Sequence, residues 1–129
     1  MREMTHEDMS DFADSYTSAW CSHDPARVAW HYTPDGTIAI NGGDPAPIRD
    51  VAQSFIDEFP DIQVFTDDLV LKDDVVEYHW TFTGTHSGTG QPVRISGFEE
   101  WTIADDGRVV RSRGSYDQEE YDRQVEHGV

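Results

Sequence analysis

Basic residues, cysteine and long apolar runs are all scarce in this chain of 129 residues. Lys72 is the single lysine among 9 Lys and Arg, set against 26 Asp and Glu for a net charge of −17. So acidic a surface repels phosphate backbones and anionic headgroups, which excludes nucleic acid and membrane surfaces as expected partners. Cys21 is alone, so no intrachain disulfide can form, and a single thiol suits packing better than chemistry. No apolar run approaches the roughly 20 residues of a membrane helix, and the opening "MREMTHEDMSD" lacks the basic and apolar regions of a signal peptide. The expectation is a soluble, cytoplasmic protein.

Reactive motifs are equally sparse. The 6 histidines show no metal-binding spacing, no phosphate loop precedes a helix, and no serine sits in a nucleophile elbow. Neither a metal nor a cofactor is expected. Internal repeats, low-complexity tracts and Pro/Ser-rich linkers are absent as well, which implies one continuous domain over residues 1–129.

What is present is burial potential. Hydrophobic residues make up 36% of the chain and aromatics 12%, too much for a disordered polymer despite the charge. Acidic, lysine-poor composition resembles that of proteins from salt-loving microbes, whose charged surfaces stay soluble when salt screens their self-repulsion. An ordinary acidic bacterial protein is the other reading.

Period 3.6 dominates the first half of the chain. Thr5 with Asp8 forms a capping pair, and Met9, Phe12, Ala13, Tyr16, Ala19 and Trp20 then recur at helical spacing, predicting a helix over about residues 6 to 22. In "HDPARVAWHY", Asp24 as N-cap and Pro25 at the first helical position predict a short second helix ending before "TPDG". "TIAI" reads as a short strand, and "PIRDVAQSFIDEF" as a third helix that Pro60 stops. From there the period falls to two, giving strands at about 62 to 71, 75 to 86, 92 to 104 and 108 to 116. Asp73–Asp74, "GTHSGTG" and "ADDG" are their turns, and Asp117 with Glu120 opens a last short helix. Helices collected in front of an antiparallel meander predict an α+β fold in which they cover one face of a curved sheet, with room for a cavity between.

The stretch "SGFEEWTI" places adjacent glutamates in a strand, where only one can face the core. Its odd positions, Ile95, Gly97, Glu99, Trp101 and Ile103, are the more apolar set, so Glu99 is predicted inside and Glu100 exposed. In the preceding strand Tyr78, Trp80, Phe82 and His86 share the aromatic face, while Tyr16 sits on the apolar face of the first helix. A carboxyl among such side chains must find hydrogen bonds or take up a proton. The alternative is that Glu99 pairs with Arg108 or Arg111 of an adjacent strand.

The element order, together with "SYTSAWCSHDPARVAWHYTPDGTIAI" and "GTHSGTG…VRISGFEEWTIADDGRVV", resembles the nuclear transport factor 2-like superfamily, within its SnoaL-like polyketide cyclase group. That resemblance implies a cone-shaped curved antiparallel sheet packed against N-terminal helices, and homodimerisation through the outer sheet face. In the related ketosteroid isomerases a helix-one tyrosine followed eight residues later by an aspartate supplies half of an oxyanion hole, a spacing matched by Tyr16 and Asp24. Their protonated second donor corresponds to Glu99. Other positions depart from the pattern. The isomerase base falls at Ile40, and the acid/base aspartate of polyketide cyclases and limonene epoxide hydrolases falls at Gly114. The hydrolase arginine and aspartate fall at Trp80 and Phe82.

Two functions are compatible with these residues. One is a cofactor-independent isomerase, cyclase or dehydratase of a small hydrophobic carbonyl compound, with Tyr16 and Glu99 stabilising an enolate and His86 moving the proton. Trp20, Ile40, Tyr78, Trp80, Phe82, Trp101 and Tyr116 would line its cavity. The other is a binding or assembly module that holds a ligand without turning it over.

Overall fold

The computed structural model describes residues 5–73 and 75–129. Ten elements follow in chain order: α1 (His6–Cys21), α2 (Pro25–Ala29), β1 (Tyr32–Ile40), β2 (Ala46–Pro47), α3 (Ile48–Glu58), β3 (Gln63–Leu71), β4 (Val76–Thr85), β5 (Pro92–Ile103), β6 (Val109–Tyr116) and α4 (Gln118–His127). Local chemistry sets most of these limits. Thr5 and Asp8 form a reciprocal capping box at α1, at 3.1 and 3.2 Å, satisfying two amides that the first helical turn leaves free. Asp24 accepts from the Ala26 amide at 3.0 Å ahead of Pro25, and Asp117 accepts from the Glu120 amide at 3.1 Å.

One six-stranded sheet in the order β2-β1-β6-β5-β4-β3 carries the fold, curved and unclosed. The meander β3 to β6 is antiparallel as expected, but β1 runs parallel to β6, pairing Ile38 with Ser112 and Ile40 with Gly114. β1 thus adds one parallel pair to the otherwise antiparallel sheet. The parallel pair follows from α3, which carries the chain away from β1 before the meander brings it back alongside. β1 is also longer than "TIAI", starting at Tyr32 where the sequence reads as helix, and β2 has no counterpart in the sequence reading. The Asp74 part of the predicted turn lies outside the described residues.

The core lies between the sheet's concave face and the helices. Met9, Ala13, Tyr16, Ala19 and Trp20 form the buried stripe of α1, and Ile48, Ala52 and Ile56 that of α3. They meet Val76, Tyr78 and Phe82 of β4 and Val93, Ile95 and Trp101 of β5. Among the described residues no helix is long and apolar enough to cross a membrane.

Candidate functional site

Glu99 is buried at 6% exposure, and Glu100 is half-buried rather than exposed. Alternation along β5 accounts for the difference. Val93, Ile95 and Trp101 share the inward face with Glu99, while Glu100 lies opposite Glu77 and Arg113 on the outer one.

Four donors converge on one oxygen of this carboxyl. Oε1 accepts from Ser112 Oγ at 2.8 Å, Trp101 Nε1 at 3.0 Å, Tyr16 OH at 3.1 Å and Tyr32 OH at 3.1 Å. Oε2 accepts only a longer contact of 3.3 Å from Tyr16. The two phenols also touch each other at 3.1 Å. Neither Arg108 nor Arg111 takes part: Arg108 lies over the Trp30 ring at 4.9 Å, and Arg111 is exposed. Burial pushes the Glu99 carboxyl above the usual carboxylate range, and the hydrogen bonds from Trp101, Ser112, Tyr16 and Tyr32 offset part of that rise. Tyr16 and Tyr32 are held well above the usual phenol range, first by burial and then by the neighbouring Glu99 charge. The phenols therefore stay protonated and act as donors.

A cavity opens beside this cluster, with about 520 Å³ of atom-free space counting its mouth. Trp20 of α1, Val51 and Phe55 of α3, Ile38 and Ile40 of β1, Ile62 and Val64 near the start of β3, Tyr78, Trp80 and Phe82 of β4, Glu99 of β5, and Gly114 and Tyr116 of β6 form its wall. Glu99 is the only carboxylate among them. Gly114 leaves space next to it: a Cβ there would stand 3.1 Å from Ile40 Cδ1 and 3.8 Å from Glu99 Cγ. The Tyr78 hydroxyl is already engaged with Thr17.

Of the expected wall residues, Trp20, Ile40, Tyr78, Trp80, Phe82 and Tyr116 do line the cavity. Trp101 does not. It is fully buried behind the wall, stacked on Tyr78 at 4.9 Å. Tyr16 is likewise behind Glu99, so the two touch directly instead of facing a shared space. His86 is not brought to them at all. It lies past the end of β4, its ring on Phe59 at 5.4 Å and its Nδ1 accepting from the Gly88 and Thr89 amides at 3.1 and 3.2 Å. It keeps the aromatic side of β4, since Gly84, Phe82 and His86 all meet Phe59, but it stands far along the strand from Tyr78, the residue paired with Glu99, roughly 26 Å away.

The family model described as SnoaL-like polyketide cyclase matches residues 10–125. The chain belongs to that family. Its fold recurs in AclR from Streptomyces galilaeus, at 21% identity and TM-score 0.79 over 94% of this chain and 82% of that one. IdmH from Streptomyces antibioticus follows at 24% identity and TM-score 0.74, covering 90% and 96% of the two chains. A protein with a ketosteroid isomerase-like fold from Catenulispora acidiphila shares 13% identity and TM-score 0.74 over 83% and 85%. No curated protein sequence matches the chain.

Against the family pattern, Ile40 and Gly114 are wall residues that carry no proton-transfer group, and Asp24 is occupied as the α2 N-cap. Tyr32 and Ser112 are the partners of Glu99 that sequence reasoning missed. Ser112 had a signal: in "RSRG" the arginines claim the outer face, which turns Ser112 and Gly114 inward. Tyr32 had none, because "VAWHY" continues a helical run.

Proposed function

We propose that the chain is a cyclase or isomerase of a small hydrophobic carbonyl compound, with Glu99 as the acid at the cavity wall. The observation that supports this is the gathering of four donors on Oε1, which leaves Oε2 as the oxygen with spare capacity. A carboxyl that is easier to keep protonated, anchored through Oε1, can carry its proton on Oε2 and donate to a ligand carbonyl. Neutral acids used in this way stabilise the negative charge that grows on oxygen during enolisation. The substrate's α-carbon gives its proton to a solvent base at the open mouth. The resulting enolate carbon either adds to a second carbonyl, forming a C–C bond and closing a ring while that carbonyl's oxygen takes the proton back from solvent as its π bond opens, or is reprotonated elsewhere to give an isomer. Tyr16, Tyr32, Ser112 and Trp101 are positioning residues, and His86 has no part in this reading.

The second reading is a binding module, favoured by Ile40 and Gly114 at the two positions where relatives hold a base. Solvent exchange separates the two. With 1-tetralone in heavy water, the enzyme reading expects accelerated loss of the α-protons, reduced about 100-fold by Glu99→Gln. Saturable binding without accelerated exchange identifies a binding module.

A further inference from the structure

Outside the cavity, one group of side chains has no part in the scheme above. Ser15 stands exposed on α1, and its Oγ meets Nε2 of His31 at 2.8 Å. The imidazole belongs to a residue only 4% exposed, and its other nitrogen, Nδ1, meets the Arg27 carbonyl oxygen at 2.9 Å. A carbonyl can only accept, so Nδ1 carries the ring proton and Nε2 is left to accept from the Ser15 hydroxyl. The Arg27 carbonyl is open to this bond because α2 stops at Ala29 and the His31 amide goes to the Val28 carbonyl instead. Three rings hold the imidazole in place, Phe12 at 5.4 Å, Tyr16 at 5.6 Å and Trp30 at 5.3 Å. None of these residues lines the cavity.

A serine hydroxyl on the unprotonated nitrogen of a histidine, whose second nitrogen is fixed by an acceptor, is the arrangement that activates a serine for attack. Burial, helped by the nearby charges of Arg27 and Arg108, lowers the His31 pKa and keeps the ring in the base form that this requires. The same two guanidiniums bring positive charge beside the pair. Arg108 lies over the Trp30 ring at 4.9 Å, and among the described residues neither arginine is paired with a carboxylate. Ser18, exposed about one turn further along α1, has no side-chain partner of this kind among the described residues.

We infer that Ser15 is a second reactive centre, separate from the Glu99 cavity, a nucleophile that His31 activates to take the acyl group from a neutral ester. Oγ bonds to the ester carbonyl carbon while its proton passes to Nε2. The bond from that carbon to the leaving oxygen then breaks, and this oxygen departs with the proton from Nε2. Water repeats the two transfers, releasing the acid and restoring Ser15. Arg27 and Arg108 favour the negative charge that rests on the carbonyl oxygen in between. Trp30, 63% exposed, offers an apolar seat for the ester, whereas Asp11 and Asp14, exposed near Ser15 on α1, disfavour an anionic one.

4-Nitrophenyl dimethylcarbamate is the probe that decides it, a neutral aryl ester whose acyl group, once on a serine, water removes only slowly. The chain is incubated with it and the modified residues are mapped by peptide mass spectrometry over time. In the folded protein Ser15 should be modified at least about 100-fold faster than Ser18, the lower end of what a positioned base contributes. In urea, where unfolding parts the imidazole from Ser15, the two serines should react alike, a comparison that needs no variant. His31→Gln should bring Ser15 down to the Ser18 rate, and Ser15→Ala should remove the fast adduct altogether. No adduct on Ser15, equal rates for Ser15 and Ser18 in the folded chain, or a Ser15 rate that survives His31→Gln overturns the assignment. Where His31→Gln does not fold, the comparison of folded and urea-unfolded wild type decides alone.

Discussion

Glu99 is the residue on which most of the chemistry turns, and its protonation leaves a mark on stability. Burial raises its pKa in the folded chain above the ordinary value of 4.5. The folded state then holds a proton that the unfolded state releases, so the contribution is fully present below the unfolded pKa and is lost as pH climbs through the folded one. Glu99→Gln, which cannot ionise, should lack this loss. Urea denaturation at about pH 5 and about pH 8 checks it: the variant gains on the wild type as pH rises. A constant difference between the two proteins would mean that Glu99 titrates normally. His31 works in the opposite direction. Burial lowers its pKa, and its Nδ1 donates to the Arg27 carbonyl at 2.9 Å while Nε2 accepts from Ser15 at 2.8 Å. Its contribution is present above the unfolded histidine pKa and declines as pH falls below it, so His31→Gln should flatten the acid side of the same profile.

At the scale of elements, β5 is pinned by what Gly97 lacks. A Cβ there would lie 2.3 Å from the Ser115 carbonyl oxygen, a backbone atom that cannot swing aside. Gly97→Ala should therefore destabilise by roughly 2 to 4 kcal/mol, read as a lower denaturation midpoint, by prying β5 from β6 and displacing Trp80. A change below about 0.5 kcal/mol would show that the β5–β6 pair yields easily. Much of this architecture was legible beforehand. Alternation in "RISGFEEWTI" distinguishes Glu99 from Glu100 because period two maps directly onto the two faces of a strand. Caps and proline placed α1, α2 and α3 for the same local reason. The misses share a cause that is not local. Tyr32 belongs to a strand only because β6 comes alongside it, and His86, though it keeps the aromatic side, is parted from Glu99 by the β4–β5 register, which pairs Glu99 with Tyr78 at the other end of β4. Trp101 faces inward as expected, but facing inward does not tell whether a side chain meets a cavity or other side chains.

At the scale of the whole molecule, charge is the dominant variable. With 26 acidic and 9 basic side chains, the folded surface repels itself, and salt shortens the reach of that repulsion from about 10 Å at 0.1 M to about 3 Å at 1 M. The melting temperature is expected to rise between dilute buffer and molar potassium chloride; a flat or falling curve would show that the acidic groups are already compensated. The parallel pairing of β1 with β6 carries a consequence for how the chain reaches this state. β3 to β6 close through neighbouring hairpins, but β1 must find a strand on the far side of the meander, and Tyr16 and Tyr32 meet Glu99 across 83 and 67 residues of chain. Contacts of such long range are slow to form, since loop-closure entropy is lost before they give anything back. Trp101 and Ser112 reach Glu99 within the β5–β6 hairpin, but the two phenols should join after the folding barrier, so that Tyr16→Phe speeds unfolding while hardly slowing folding, and the acid's environment is completed only as the last step of becoming native.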